Sequence, residues 1–194
     1  MDKRRFLAAG VLGAVLPLKA RADGARARRG TGLLTVGGAI GRSNRGPFDP
    51  ALDQLMARHG NSFVKAWEFD AAMLERLPAL TIQPTLEYDA RPHRLSGPLL
   101  GSVLGVCGVA ADARVALTLR AVDGYTVAVS LADAQRHRMI VATTLDGGPM
   151  SLGGLGPLWA VYDADRLPDF KDKPLKERFA LSPWGLYFID VKAV

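Results

Sequence analysis

The chain has 194 residues, 48% hydrophobic and 23% charged, with 25 basic against 19 acidic side chains and a single cysteine. That length fits one domain with room for a sizeable core, and the composition excludes a fibrous or disordered chain. One cysteine excludes an intramolecular disulfide framework and any multi-cysteine zinc or iron–sulfur site. The net charge of +6 is local. Eight of the bases and two of the acids fall in residues 1–30, which leaves 17 of each sign for residues 31–194. A nucleic-acid-binding domain keeps positive charge on its folded body to neutralise phosphates, so no nucleic-acid partner is expected.

Residues 1–22 carry the parts of an export signal in order: Lys3-Arg4-Arg5, an apolar stretch over residues 6–18, and the small-x-small site Ala20-Arg21-Ala22. The apolar stretch falls short of the about 20 residues that span a bilayer, so no transmembrane segment is expected in the mature chain. The start also resembles a twin-arginine signal, with Lys3-Arg4 as the basic pair and Arg5 as the spacer. The ordinary secretory route fits as well. Either route places the mature protein, beginning near Asp23, in the periplasm or outside the cell. Residues 23–30 read as a basic flexible tail and residues 31–194 as the domain.

Within the domain, residues 33–40 read as a first strand, bent at Gly37-Gly38. Asp49 and Pro50 suit the N-cap and first turn of a helix with an apolar stripe of Leu52, Leu55 and Met56, stopped by Gly60. Residues 63–69 alternate as a strand, and Asp70 caps a helix over residues 71–77. Residues 80–86 form a strand interrupted by Pro84. Residues 96–106 have apolar residues at helical spacing, and Cys107 after them reads as a small buried hydrophobe. Residues 114–122 form a strand, and Asp123-Gly124 turns the chain into a return strand over residues 125–129. Ser130 caps a short helix over residues 131–137. Strands over residues 139–145 and 158–162 flank two glycine-rich loops, and residues 186–191 close the fold. The connection over residues 163–177 is too polar to be core. The sum is α+β: mixed β-sheets in a barrel- or sandwich-like core with short helices.

The order of four motifs resembles a known family. They are Tyr125…Val129-Ser130, then Asp146-Gly147-Gly148-Pro149-Met150, then Gly156-Pro157-Leu158-Trp159, then Ser182-Pro183-Trp184-Gly185-Leu186. In that order they resemble the sulfite-oxidase-type molybdopterin-binding oxidoreductase domain, most closely over residues 114–162. The resemblance implies that family's mixed fold, molybdopterin as a cofactor, and Tyr125 beside the reacting centre. It also implies a pterin lined by Asp146, Gly147 and Pro149 from one loop and Gly153, Gly154 and Gly156 from the next. In that family a cysteine thiolate holds the metal, and a soft thiolate is the fitting donor. The matching segment here, residues 81–89, has no cysteine and is short, and Trp159 stands where many relatives carry an arginine.

Each candidate has a plainer reading. Tyr125 can fill the mouth of the core, and the glycines can serve tight strand connections. Arg91, His93 and Arg94 form a compact cationic cluster that could hold an oxyanion or phosphate, or could be a solvated loop. The three histidines fit no metal-ligand spacing, and no metal site is expected from the side chains. Two functions therefore remain open. One is an exported molybdopterin-dependent-oxidoreductase-like domain, a redox enzyme on a small oxyanion or sulfur compound. The other is a cofactor-free binding or sensing module that kept the fold and lost the metal site. Partners to expect are a small anionic ligand or pterin, and a periplasmic protein.

Overall fold

The computed structural model describes residues 30–194. The expected export signal and most of the basic tail lie outside the described residues. The fold is α+β, strand-rich with short helices, and its mixed and antiparallel sheets form a sandwich-like core with no closed barrel among the described residues.

The main sheet has five strands. In chain order they are β1 (Leu34–Gly38), β2 (Ala66–Phe69), β5 (Val115–Ala121), β6 (Thr126–Ser130) and β11 (Leu186–Ala193). They lie side by side as β2-β1-β11-β5-β6, with β1 parallel to β11 and the other pairs antiparallel. β5 shows how the sequence places its core face: Val115, Leu117, Leu119 and Ala121 are buried and the residues between them are half-exposed, the period of two that a one-sided sheet imposes. The closing strand β11 ends up second from neither edge but in the middle, so the last residues of the chain complete the sheet that the first strand begins.

Four further strands, β3 (Ala79–Ile82), β4 (Leu95–Pro98), β8 (Thr144–Leu145) and β9 (Gly148–Pro149), form an antiparallel sheet in the order β3-β4-β8-β9. Between the two sheets lie β7 (Ile140–Ala142) and β10 (Trp159–Val161), paired with each other and buried at every residue. Bridges Leu99↔Ile140 and Trp159↔Trp184 link this pair to its neighbours. Helices α1 (Gln54–Arg58), α2 (Ala71–Glu75), α3 (Leu100–Val106) and α4 (Leu131–Arg136) cover the ends. Two caps form as their sequences imply: Asp70 accepts from Met73 N at 2.8 Å and Ser130 Oγ from Asp133 N at 2.9 Å.

Three sequence expectations are corrected. The helix expected from Asp49 starts later, at Gln54. Asp49 instead holds a turn through the amides of Ala51 and Leu52, and Asp53 occupies the N-cap with its carboxylate committed to Arg45. The helix expected over residues 96–106 begins only at Leu100, because Leu95–Pro98 pairs with β3 and β8. Gly97 is the signal that helical spacing hid: a Cβ there would sit 2.0 Å from the carbonyl oxygen of Val141, so only glycine lets β4 cross β7 that closely. The connection over residues 163–177 is not wholly outside the core. Phe170 is buried and stacks on Tyr162 at 4.5 Å between centroids, with the His137 ring edge-on to it at 5.0 Å. One buried aromatic contributes about 1.5–3 kcal/mol, enough to pin a polar segment that has few other apolar residues.

Candidate functional site

Tyr125 stands at the tip of the β5–β6 hairpin. Asp123 shapes the tip by accepting the Tyr125 amide at 2.9 Å, and Gly124 takes a left-handed φ of 93° that a turn here requires. The half-exposed phenol donates to the carbonyl of Ala180 at 2.8 Å. Three segments distant in sequence therefore meet in one cleft of about 330 Å³: Asp123 and Tyr125 from the hairpin, Glu87 and Tyr88 from the loop after β3, and Lys176 to Trp184 from the approach to β11.

The loop that carries Glu87 and Tyr88 is itself a tight hairpin. Thr85 bridges Pro92, Leu86 N donates to Arg91 O at 2.9 Å, and Ala90, at φ 56°, turns the tip. Thr85 N donates to Asp165 at 2.7 Å, which fastens its base to the segment after β10. Partial burial, and then the Glu87 carboxylate, push the Tyr88 phenol above its ordinary pKa, against a smaller opposing contact from Trp184. Trp184 is set by its bridge to Trp159, whose indole N–H donates to Ser182 O at 2.9 Å. Trp159 is thus a core residue, not a cleft residue. The cleft is lined by the aromatic residues Tyr88, Tyr125, Phe179 and Trp184 together with two carboxylates, Glu87 and Asp123, and one ammonium, Lys176.

The other sequence candidates are placed elsewhere. Asp146, in a left-handed turn between β8 and β9, lies against the loop before β4: its Oδ1 accepts Arg94 N at 2.9 Å and its Oδ2 meets His93 Nδ1 at 2.6 Å. So the Asp146 turn and the cluster of Arg91, His93 and Arg94 do come together, but Asp146 meets this cluster through a ring nitrogen and a backbone amide, and both guanidinium-bearing residues are exposed. Gly147 and Pro149 belong to the same β-turn and its return strand.

The second loop borders a different groove, of about 390 Å³, where Leu152 and Pro157 face Arg45, Leu52 and Leu55. The amides of Gly154 and Gly156 both donate to Ser151 O, at 3.1 and 3.2 Å, so neither is left to cradle a phosphate. Gly153 takes a left-handed φ of 92°, and a Cβ on Gly156 would lie 2.3 Å from Met150 O. Turn geometry accounts for Gly153 and close backbone packing for Gly156, while Gly154 has room for a side chain. Of the residues expected to surround one ligand, Tyr125 alone lines the aromatic cleft.

Lys176 and Ala180 are neighbours of Tyr125 in the cleft that sequence reasoning missed. Lys176 lies within the connection set aside as too polar for the core and Ala180 just beyond it, and nothing local marks them; only the burial of Phe170 and Phe179 shows that this segment is anchored. Lys176 and Glu87 belong to no motif, and Asp123 reads only as the turn residue of Asp123-Gly124.

The thiolate implied by the family resemblance has no counterpart here. The chain's one cysteine, Cys107, ends α3 fully buried, donates to Val103 O at 3.5 Å, and has its thiol pushed up to about 12 by burial. Among the described residues, no group of three or more His, Cys, Asp or Glu side chains is arranged to hold a metal ion, and no helix is long and apolar enough to cross a membrane. The residues present therefore do not fit a thiolate-held molybdenum at this cleft. The chain matches no protein-family model and no curated protein.

Proposed function

We propose that this protein is an exported, cofactor-free binding module on a sulfite-oxidase-type scaffold, with the Tyr125 cleft as its ligand site. The observation that carries this reading is the meeting of Tyr125, Tyr88 and Trp184 around a polar cleft while the only thiol is sealed in the core. The motif order supports the scaffold. The basic start, apolar stretch and Ala-x-Ala site of residues 1–22 support export to the periplasm or beyond.

The charge of the cleft narrows the ligand. Glu87 and Asp123 outnumber Lys176, and the exposed arginines Arg91 and Arg94 do not line the cleft. Aromatic faces attract cations, and carboxylates add to that attraction. A small cationic or uncharged molecule with a flat face fits these walls better than the anion or pterin that the family resemblance implies. Metal analysis of the chain exported by its native host tests the cofactor-free reading. Sub-stoichiometric molybdenum is expected; about one molybdenum per chain would overturn it and restore the oxidoreductase.

A further inference from the structure

His93 lies between two carboxylates. Its Nε2 meets Asp89 Oδ2 at 2.9 Å, and its Nδ1 meets Asp146 Oδ2 at 2.6 Å. A carboxylate can only accept, and a neutral imidazole has one N–H to give. Both contacts can be hydrogen bonds at once only when the ring is an imidazolium. Removing one proton leaves a ring lone pair facing a carboxylate oxygen, so one of the two contacts must break.

The position of the two carboxylates gives this contact a consequence. Asp89 directly follows Glu87 and Tyr88, the residues that the hairpin sends into the Tyr125 cleft. Asp146 belongs to the turn between β8 and β9, on a separate sheet strand pair. The hairpin base is fixed by Thr85 on Asp165, which Arg178 holds at 2.8 Å, by the buried Leu86 side chain, and by His93 N on Pro84 O at 3.1 Å; the tip beyond Leu86 is held by Tyr88 on Trp184 and by Asp89 on the His93 ring. Asp146 is held on Arg94 by two bonds that do not involve the imidazole, Oδ1 accepting Arg94 N at 2.9 Å and its own amide donating to Arg94 O at 2.8 Å, whereas the Asp89 carboxylate meets the ring from the hairpin tip.

We propose that His93 is a proton-operated clamp that positions the Glu87 and Tyr88 wall of the Tyr125 cleft, a reading that rests on that cleft being the binding site. With the imidazolium in place, the tip is held and the wall stands against Trp184. With the neutral ring, the tip is released and the wall loosens. The charges that act on the ring are Asp146 from the β8–β9 turn and Asp89 from the hairpin itself; Arg91 acts on Asp89 and Arg94 on Asp146. Both carboxylates raise the proton affinity of His93 above the ordinary histidine value, which puts the release on the alkaline side of that value.

The test is an NMR titration of the isotopically labelled full chain. The His93 ring, the Trp184 indole N–H and the Tyr88 amide are followed together as pH rises. The expected result is one shared midpoint above the ordinary histidine range, and loss of the Trp184 and Tyr88 response in His93→Gln. Asp146→Asn should bring the His93 midpoint down; if it does not fold, Asp89→Asn makes the same test from the other side. A His93 titration that leaves Trp184 and Tyr88 unmoved, or that falls at or below the ordinary value, overturns the clamp. Benzylamine then serves as the binding probe, titrated on either side of the midpoint. Its affinity should fall several-fold as His93 loses its proton, and an unchanged affinity also overturns the clamp. Benzylamine binding at neither pH, with the linked titration intact, overturns the cleft as a binding site and leaves the clamp standing.

Discussion

The hydroxyl of Tyr125 donates to the carbonyl of Ala180 at 2.8 Å, across 55 residues of sequence. This single bond ties the β5–β6 hairpin to the segment leading into β11. It also leaves the phenol oxygen only its lone pairs for a ligand, so a bound molecule would meet Tyr125 as an acceptor or an aromatic face. Tyr125→Phe should therefore cost about 0.5–1.5 kcal/mol, nearer the lower end because the residue is half-exposed. Urea denaturation measures the loss, and faster hydrogen exchange around residues 179–182 should accompany it. An unchanged exchange pattern there would show that the bond does not order the segment.

Gly154 and Gly156 separate two explanations of the second glycine loop. A Cβ on Gly156 would lie 2.3 Å from Met150 O and 2.4 Å from Met150 C, and both are backbone atoms that cannot step aside. Gly156→Ala should destabilise by roughly 2 kcal/mol or more, as a forced backbone shift in a packed region does. The Cβ of an alanine at 154 would meet only Ser151 O at 3.5 Å, so Gly154→Ala should lie within about 0.5 kcal/mol of the parent. If Gly154→Leu abolished binding of a ligand while leaving stability intact, the site would have to include this loop, against the placement described above.

Cys107 should behave as a core side chain. With its thiol at about 12 and no exposure, thiol reagents should label the native protein slowly and the unfolded protein fast. Cys107→Ala should fold and cost on the order of 1 kcal/mol. Rapid labelling of the native protein would contradict the burial.

Hairpin stability should have an acid and an alkaline limit. The folded pKa of His93 is raised, so its contribution is complete below the unfolded value and is lost as pH rises through the folded value. Asp89 and Asp146 are depressed, each chiefly by its bond to His93, so their contribution is present above the unfolded carboxylate value and is lost as pH falls through the folded ones. The amides of Leu86 and Ala90, which close the hairpin, should be best protected between these limits after correction for intrinsic exchange. His93→Gln should remove the alkaline limit. Protection that falls at the same alkaline pH in the variant would assign the limit to another group.

Much of the fold was legible because its signals are local. The Asp70 and Ser130 caps, the alternation in β5 and the Asp123-Gly124 hairpin each depend on a few neighbouring residues, and all four formed. The start of α3 was misread because Leu99, Leu100, Val103 and Leu104 share helical spacing with a preceding strand, and the decisive contact, Gly97 against Val141, is between residues far apart in the chain. The candidate site was legible in part. Tyr125 lines a cleft, as a tyrosine at the mouth of the core would, and Glu87 and Tyr88 line it too. The glycine loops read as ligand-lining because a glycine that admits a ligand and one that admits its own backbone look alike in sequence. Lys176, Ala180 and the pairing of Asp89 with Asp146 through His93 arise from long-range packing, which no local pattern encodes.

The central claim, that the Tyr125 cleft takes a small flat molecule that is cationic or uncharged, without a metal, is tested most directly by a matched pair of ligands of one size and opposite charge. Benzylamine and benzoate are titrated separately into the metal-free full chain while the Trp184 indole N–H and the Tyr125 and Tyr88 resonances are followed. Benzylamine should shift all three saturably and Glu87→Gln should weaken it, while benzoate should leave them nearly unmoved. Saturable binding of benzoate in preference to benzylamine, or shifts confined to residues outside the cleft, would contradict the account.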